Sequence, residues 1–221
     1  MLGAIHLVGT ELRFGWKQFF LFGLLCASCF QVLMLAALIV RFQSLPNYVQ
    51  VFNWFENVFH IIDSTPSWAD VAEIVSEEWL IEIGQMNYDY GTGMSIWSLN
   101  VIPSRLLLLT VLGFMIALCF KLLKIDHCGA ASKGCAVAAL SGGSLMVFMT
   151  NATMSWVVCC ATPSWVVGLA MLGLGVSTSL ALESMGPTLS TAGFTLLFSA
   201  CLFLAWNKTN PEVVAGAADH A

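Results

Sequence analysis

Charge is scarce in this chain, and its scarcity excludes the most. Only 10% of the residues are Asp, Glu, Lys or Arg, mean hydropathy is +0.84 and 58% of the residues are hydrophobic. Soluble globular domains carry roughly 25% charged residues. Lysine and arginine are missing altogether between Arg41 and Arg105, and no charge of either sign occurs from Cys135 to Leu182. No basic patch exists for nucleic acid. A chain this poor in charge is expected to be embedded in a bilayer.

Catalytic signatures are missing too. His6, His60, His127 and His220 fall one to a segment, so they form no histidine metal cluster. No serine, histidine and acid arrangement and no phosphate-binding loop can be read, and the protein is expected not to be an enzyme. The long acidic segment contains no cysteine, which argues against a secreted disulfide framework. The eight cysteines (26, 29, 119, 128, 135, 159, 160 and 201) lie mostly in apolar runs. They are expected to be reduced thiols or metal ligands rather than structural bridges.

What is present is a series of apolar runs near the 20 residues that match a hydrocarbon core of about 30 Å. Backbone groups in lipid must be satisfied internally, so these runs should be helices. The predicted fold is all-α, an integral membrane protein with four or five transmembrane helices and an extracytoplasmic amphipathic helix.

Residues 1–42 read as an interfacial segment over 2–18 followed by a first span, Phe19 to Val40. They are expected to act as a signal anchor rather than a cleaved leader, because no small-residue cleavage site follows Lys17. Residues 43–102 hold eight of the thirteen acids. Within them Pro66, with Ser67 and Asp70 as a capping box, predicts a helix start. Trp68, Val71, Ala72, Val75, Trp79 and Ile83 continue it at helical spacing. Tyr88 to Gly93 should turn, and Trp97 and Pro103 mark the return to the membrane.

Residues 103–134 supply a second span, Ile102 to Leu123, and a basic loop with Lys121, Lys124 and Lys133. Lysine and arginine collect in cytoplasmic loops. With Arg13 and Lys17 they are expected to place the N-terminus in the cytoplasm and the acidic loop outside. Residues 135–221 begin with 48 uncharged residues, about 72 Å as one helix and therefore too long for one crossing. Pro163 is the natural break. Two halves result, 136–157 and 164–182, with Gly168, Gly173 and Gly175 allowing close helix approach. A loop is expected at Glu183–Pro187, then a last span, Leu189 to Trp206. Five spans result, or four if residues 134–146 lie at the interface.

Chemistry centres on Cys159 and Cys160, adjacent thiols three residues before Pro163. Thiolates favour Cu(I), Zn and other soft ions. Side chains at i and i+1 diverge by about 100° on a regular helix, so the pair chelates best where the helix is distorted. Cys26 and Cys29, at i and i+3 on the first span, share one helix face and offer a second station. For all four the plain alternative is a small apolar residue in a packed helix. A thiol oxidoreductase is a further reading of Cys26-Ala-Ser-Cys29, although a redox dithiol would normally sit at an interface.

The stretch Cys159-Cys160-Ala-Thr-Pro163, then Val166 to Gly175, then Glu183 and a second apolar helix resembles the bacterial mercuric-ion membrane transport proteins. The resemblance covers residues 155–206. It implies that Cys159 and Cys160 receive a soft metal ion from the outer side and pass it inward. The resemblance also implies a bacterial inner membrane, but the N-terminal half has no counterpart in that family, and a clear second cysteine pair in a cytoplasmic loop is missing here, Cys128 and Cys135 being imperfect stand-ins.

Two functions follow as expectations. One is soft-metal transport or handling, mercury- or copper-like, with a thiolate-bound ion as the only cofactor. The other is a non-catalytic accessory or assembly subunit of a larger respiratory or metalloenzyme complex, meeting lipid and its partner subunits through the acidic loop. Near-absence of ionisable residues from the spans fits a scaffold at least as well as a pump.

Overall fold

The computed structural model describes residues 2–89, 91, 93–125, 138, 140–148, 150, 156–158 and 176–209. Helix dominates, but the fold is not all-α. The elements are α1 (Leu2–Phe42), β1 (Tyr48–Val51), α2 (Trp54–Ser64), α3 (Trp68–Glu77), β2 (Ile81–Asn87), β3 (Met94–Val101), α4 (Pro103–Ile125), β4 (Trp156–Val158) and α5 (Val176–Thr209). Residues 140–148 are also helical. Among the described residues three helices are long and apolar enough to cross a membrane: Gly3–Phe42, Pro103–Leu123 and Thr188–Trp206. The further spans expected over 136–157 and 164–182 lie partly outside the described residues; of the second, 176–182 are the start of α5. Gly168, Gly173 and Gly175 are outside as well.

Two compact units divide the chain. One comprises residues 1–26, 109–150 and 186–221; the other comprises 27–108 and 151–185.

In the first unit, glycines set how closely helices approach. A Cβ added at Gly113 of α4 would lie 2.8 Å from both the Gly23 Cα and the Cys26 Cβ of α1, and one added at Gly23 would strike the Thr110 carbonyl. Residues 140–148 meet α5 in the same way, where a Cβ at Gly143 would lie 2.9 Å from the Gly193 carbonyl oxygen. Without side chains at the crossings the backbones close to van der Waals contact, the usual packing device of apolar helices. Around them Leu109, Leu112, Leu118, Leu122, Leu197 and Leu204 are fully buried. Phe19 packs edge-on against Phe114 at 5.5 Å, and Lys121 reaches Glu11 at 2.8 Å.

The second unit is built on a four-stranded antiparallel sheet in the order β1-β2-β3-β4. Register places Val49, Ile83 and Leu99 side by side, and Val51, Ile81 and Val101 next to them. These form one apolar face, because successive residues alternate across a sheet. The last turns of α1 cover that face over β3. Leu38, Trp97 and Leu99 are the buried core, joined by Met34, Leu35, Ile39 and Phe42. Phe42 stacks on Trp97 at 6.3 Å, and the indole Nε1 donates to Ser44 Oγ at 2.9 Å and Gln85 Oε1 at 3.1 Å. Burying a tryptophan this fully requires such a partner for its N–H.

Several expectations are corrected. The interfacial segment and first span are one uninterrupted helix of 41 residues, roughly 60 Å at 1.5 Å per residue. One stripe of its final third, Met34, Leu35, Leu38, Ile39 and Phe42, packs on the sheet, while Val32, Leu33 and Val40 stay exposed. The amphipathic helix starts at Trp68 as read but stops at Glu77, and Ile83 belongs to β2. Ser67 makes no side-chain cap; its carbonyl accepts from the Val71 N–H instead. Residues 183–187 are helical rather than a loop, with Pro187 inside α5. The turn at 88–93 is present, joining β2 to β3, with Gly91 and Gly93 at φ of +99° and +81°, where side-chain-bearing residues are strained. Pro103 occupies the first position of α4, where its missing N–H costs nothing.

Candidate functional site

The sequence pointed to thiols, and the described thiols do not assemble into a site. Cys159 and Cys160 lie outside the described residues, as do Cys128 and Cys135. Cys26 and Cys29 are reduced and sit three residues apart on α1; Cys26 is half-buried at the Gly113 crossing and Cys29 is exposed. Among the described residues no group of three or more His, Cys, Asp or Glu side chains could hold a metal ion.

One correction concerns bonding. Cys119 of α4 and Cys201 of α5 form a disulfide, with Cα atoms 5.4 Å apart and 82 residues of sequence between them. Both are buried. The expectation that no structural bridge exists fails here because helix pairing sets two distant cysteines opposite one another. No sequence spacing signals that.

The acidic segment folds into most of the second unit, and part of its charge is spent on internal bonds. Tyr48 donates its hydroxyl to Glu82 Oε1 at 2.7 Å, and Asn57 donates to Glu78 Oε1 at 2.7 Å across the α2–α3 hairpin. Burial, opposed by a hydrogen bond with Ser95 and assisted by Glu82, pushes the Tyr48 phenol above its ordinary value. Asn47 clamps the irregularity at Gln85/Met86, accepting from the Met86 N–H and donating to its carbonyl, both at 2.8 Å.

Two of the open surfaces on this unit are apolar. The sheet face that α1 covers at Trp97 and Leu99 runs out uncovered at β1, where Val49 is 64% and Val51 70% exposed. Among the described residues β1 is also an outer strand, with one side of its backbone unpaired in the sheet. It carries no charge and no proline, two of the devices by which natural edges avoid pairing with another chain.

A second open surface is α2. Trp54, Asn57, Val58 and Ile61 turn inward and are half-buried, whereas Phe55, Phe59 and Ile62 lie exposed in a stripe at i, i+4 and i+7. Glu56, His60 and Asp63 occupy the adjoining polar stripe. Sequence reading missed this helix. Its signal was Trp54, Phe55, Val58, Phe59, Ile61 and Ile62 at helical spacing, obscured by the loop expected from the surrounding acids.

Comparison with protein-family models, with curated proteins and with solved structures finds no match. The likeness of residues 155–206 to mercuric-ion transport proteins therefore rests on those residues alone.

Proposed function

We propose that this chain is a membrane-embedded, non-catalytic subunit that joins a larger inner-membrane complex through its sheet-bearing unit. The observation that carries this reading is the mismatch between the sheet and its cover. An apolar face that is fully buried over β3 continues to an exposed edge at Val49 and Val51. An added strand from a partner would pair with the β1 backbone and extend that face, the mode in which main-chain bonds supply affinity and alternate side chains specificity. The surrounding segment holds eight acids and no lysine or arginine. The partner segment that fits is therefore extended, apolar on alternate residues and flanked by basic ones.

The orientation proposed is N-terminus in the cytoplasm, from Arg13, Lys17, Lys121, Lys124 and Lys133. The test is purification of the full chain in mild detergent from cells carrying a photo-crosslinker at Gln50. A discrete protein adduct, reduced by Val49→Lys on the same strand, supports the reading. A stable monomer with no adduct at Gln50 refutes it. Soft-metal handling through Cys159 and Cys160 is a second proposal, which rests on the adjacency of those two thiols in the sequence.

A further inference from the structure

The exposed stripe of α2 asks for an occupant, and its attachment to α4 indicates which. Four contacts fix the α2–α3 hairpin. Asn57 of α2 donates to Glu78 just after α3, and Phe52 packs edge-on against Trp79 at 6.1 Å. At the same, C-terminal end of α3, Ser104 donates its hydroxyl to the Ser76 carbonyl at 2.6 Å, and Arg105 lies within electrostatic range of Glu77. Ser104 and Arg105 are in the first turn of α4, whose membrane-length apolar run begins at Pro103. The hairpin is thus tied at the level where that run starts.

From this placement we infer that α2 lies in the bilayer interface, with Phe55, Phe59 and Ile62 inserted among headgroups and upper acyl chains. The inference rests on the membrane-embedded reading above and adds to it a lipid-seated helix outside the spans. Chemistry and geometry agree. Phe55 and Phe59 are 70% and 71% exposed, and Trp68 at the start of α3 is 78% exposed. Large aromatic side chains left in water this way are what interfacial helices bury by about 5–10 Å into the headgroup boundary. Trp68 and Trp79 are the residue type that concentrates at that depth. Glu56, His60 and Asp63, on the adjoining stripe, remain with water. Having no lysine or arginine, α2 gains nothing from anionic lipid, so a zwitterionic surface suffices. Arg105, with one buried guanidinium nitrogen lacking a hydrogen-bond partner, sits at the same entry point, where arginine side chains reach headgroup phosphates.

A photo-crosslinking residue (benzoylphenylalanine) placed singly at Phe59, Phe55, His60 or Leu21 tests this. The full-length chain is reconstituted in phosphatidylcholine nanodiscs, irradiated, and its peptides are weighed. Leu21, exposed on α1 within an apolar run of membrane length, reports on embedding itself. The expected result is a phosphatidylcholine adduct at 21, 59 and 55 and its loss at 60. An adduct at 21 with none at 59 and 55 overturns the interfacial placement and leaves embedding intact. Adducts at 59 and 55 to another protein, when the irradiation is done in native membranes, overturn it in favour of a docking helix. Failure at 21 overturns embedding, and the interfacial placement falls with it.

Discussion

Replacing Gly23 by alanine should loosen the α1–α4 crossing, and the size of the effect can be worked from its surroundings. A Cβ at Gly23 strikes the Thr110 carbonyl and comes within 3.2 Å of the Phe114 nitrogen. These are backbone atoms, which cannot rotate away as a side-chain tip can. The reciprocal Cβ at Gly113 lies 2.8 Å from Gly23 Cα, so the helices must part by roughly 0.7 Å to restore ordinary carbon–carbon contact. Overpacking of this kind costs about 1–3 kcal/mol. Against it stands the helix propensity of alanine over glycine, at most about 1 kcal/mol.

Gly9 provides the control, because it lies on the same helix and an added Cβ there meets nothing within 4 Å. Gly9→Ala should leave stability unchanged or raise it by up to about 1 kcal/mol. Gly23→Ala should lower it by up to about 2 kcal/mol, and at about 2–4 °C per kcal/mol the two variants should melt several degrees apart. Gly113→Ala should behave like Gly23→Ala, and the double variant should cost less than the sum, since both act on one crossing. Thermal unfolding of the purified protein, followed by tryptophan fluorescence, measures the difference. If Gly9→Ala and Gly23→Ala melt together, the close-packed crossing is wrong.

Three further outcomes are expected. Non-reducing peptide mapping should recover Cys119 and Cys201 in one linked pair, and Cys119→Ser should destabilise the protein by about 2–4 kcal/mol, as removal of a long-loop bridge does; alkylation of both thiols without reductant would refute the bridge. Alkaline titration should show one tyrosinate forming later than an ordinary tyrosine, because Tyr48 is raised above 10.0 chiefly by burial. A raised folded value means the native state holds the proton more tightly. The contribution is therefore complete below pH 10 and fades as pH climbs towards the raised value. Tyr48→Phe should abolish the late absorbance step, and persistence of that step would assign it elsewhere. Finally, the soft-metal proposal requires stoichiometric Hg(II) binding that disappears in the Cys159→Ser, Cys160→Ser double variant; undiminished binding would end it.

The apolar runs were legible because their physics is local. Hydropathy summed over about 20 residues identifies membrane-length helices whatever they pack against, and Pro103 and the glycine turn at 91 and 93 are constrained by their own backbones. The strands were not legible. β2 reads Ile-Glu-Ile-Gly and β3 alternates only partly, since Ile96 and Trp97 are adjacent and apolar. β2 lies in an acidic stretch where the helical spacing of α3 runs on to Ile83. What ended that helix at Glu77 was pairing with β1 and β3, a contact between residues distant in sequence.

The same distinction applies to the candidate sites. Cysteine positions are written in the sequence, and adjacency made Cys159 and Cys160 conspicuous. Spacing could not show that Cys119 faces Cys201, nor that Cys26 lies at a glycine crossing, because both depend on how helices pair. Sequence alone determined the membrane-length apolar helices and the acidic character of the segment after α1. Tertiary structure decided which apolar residues those helices spend on each other, which the end of α1 spends on the sheet, and which are left exposed at Val49, Val51, Phe55 and Phe59. Apolarity is a property of a residue, whereas its partner is fixed only when the chain has folded.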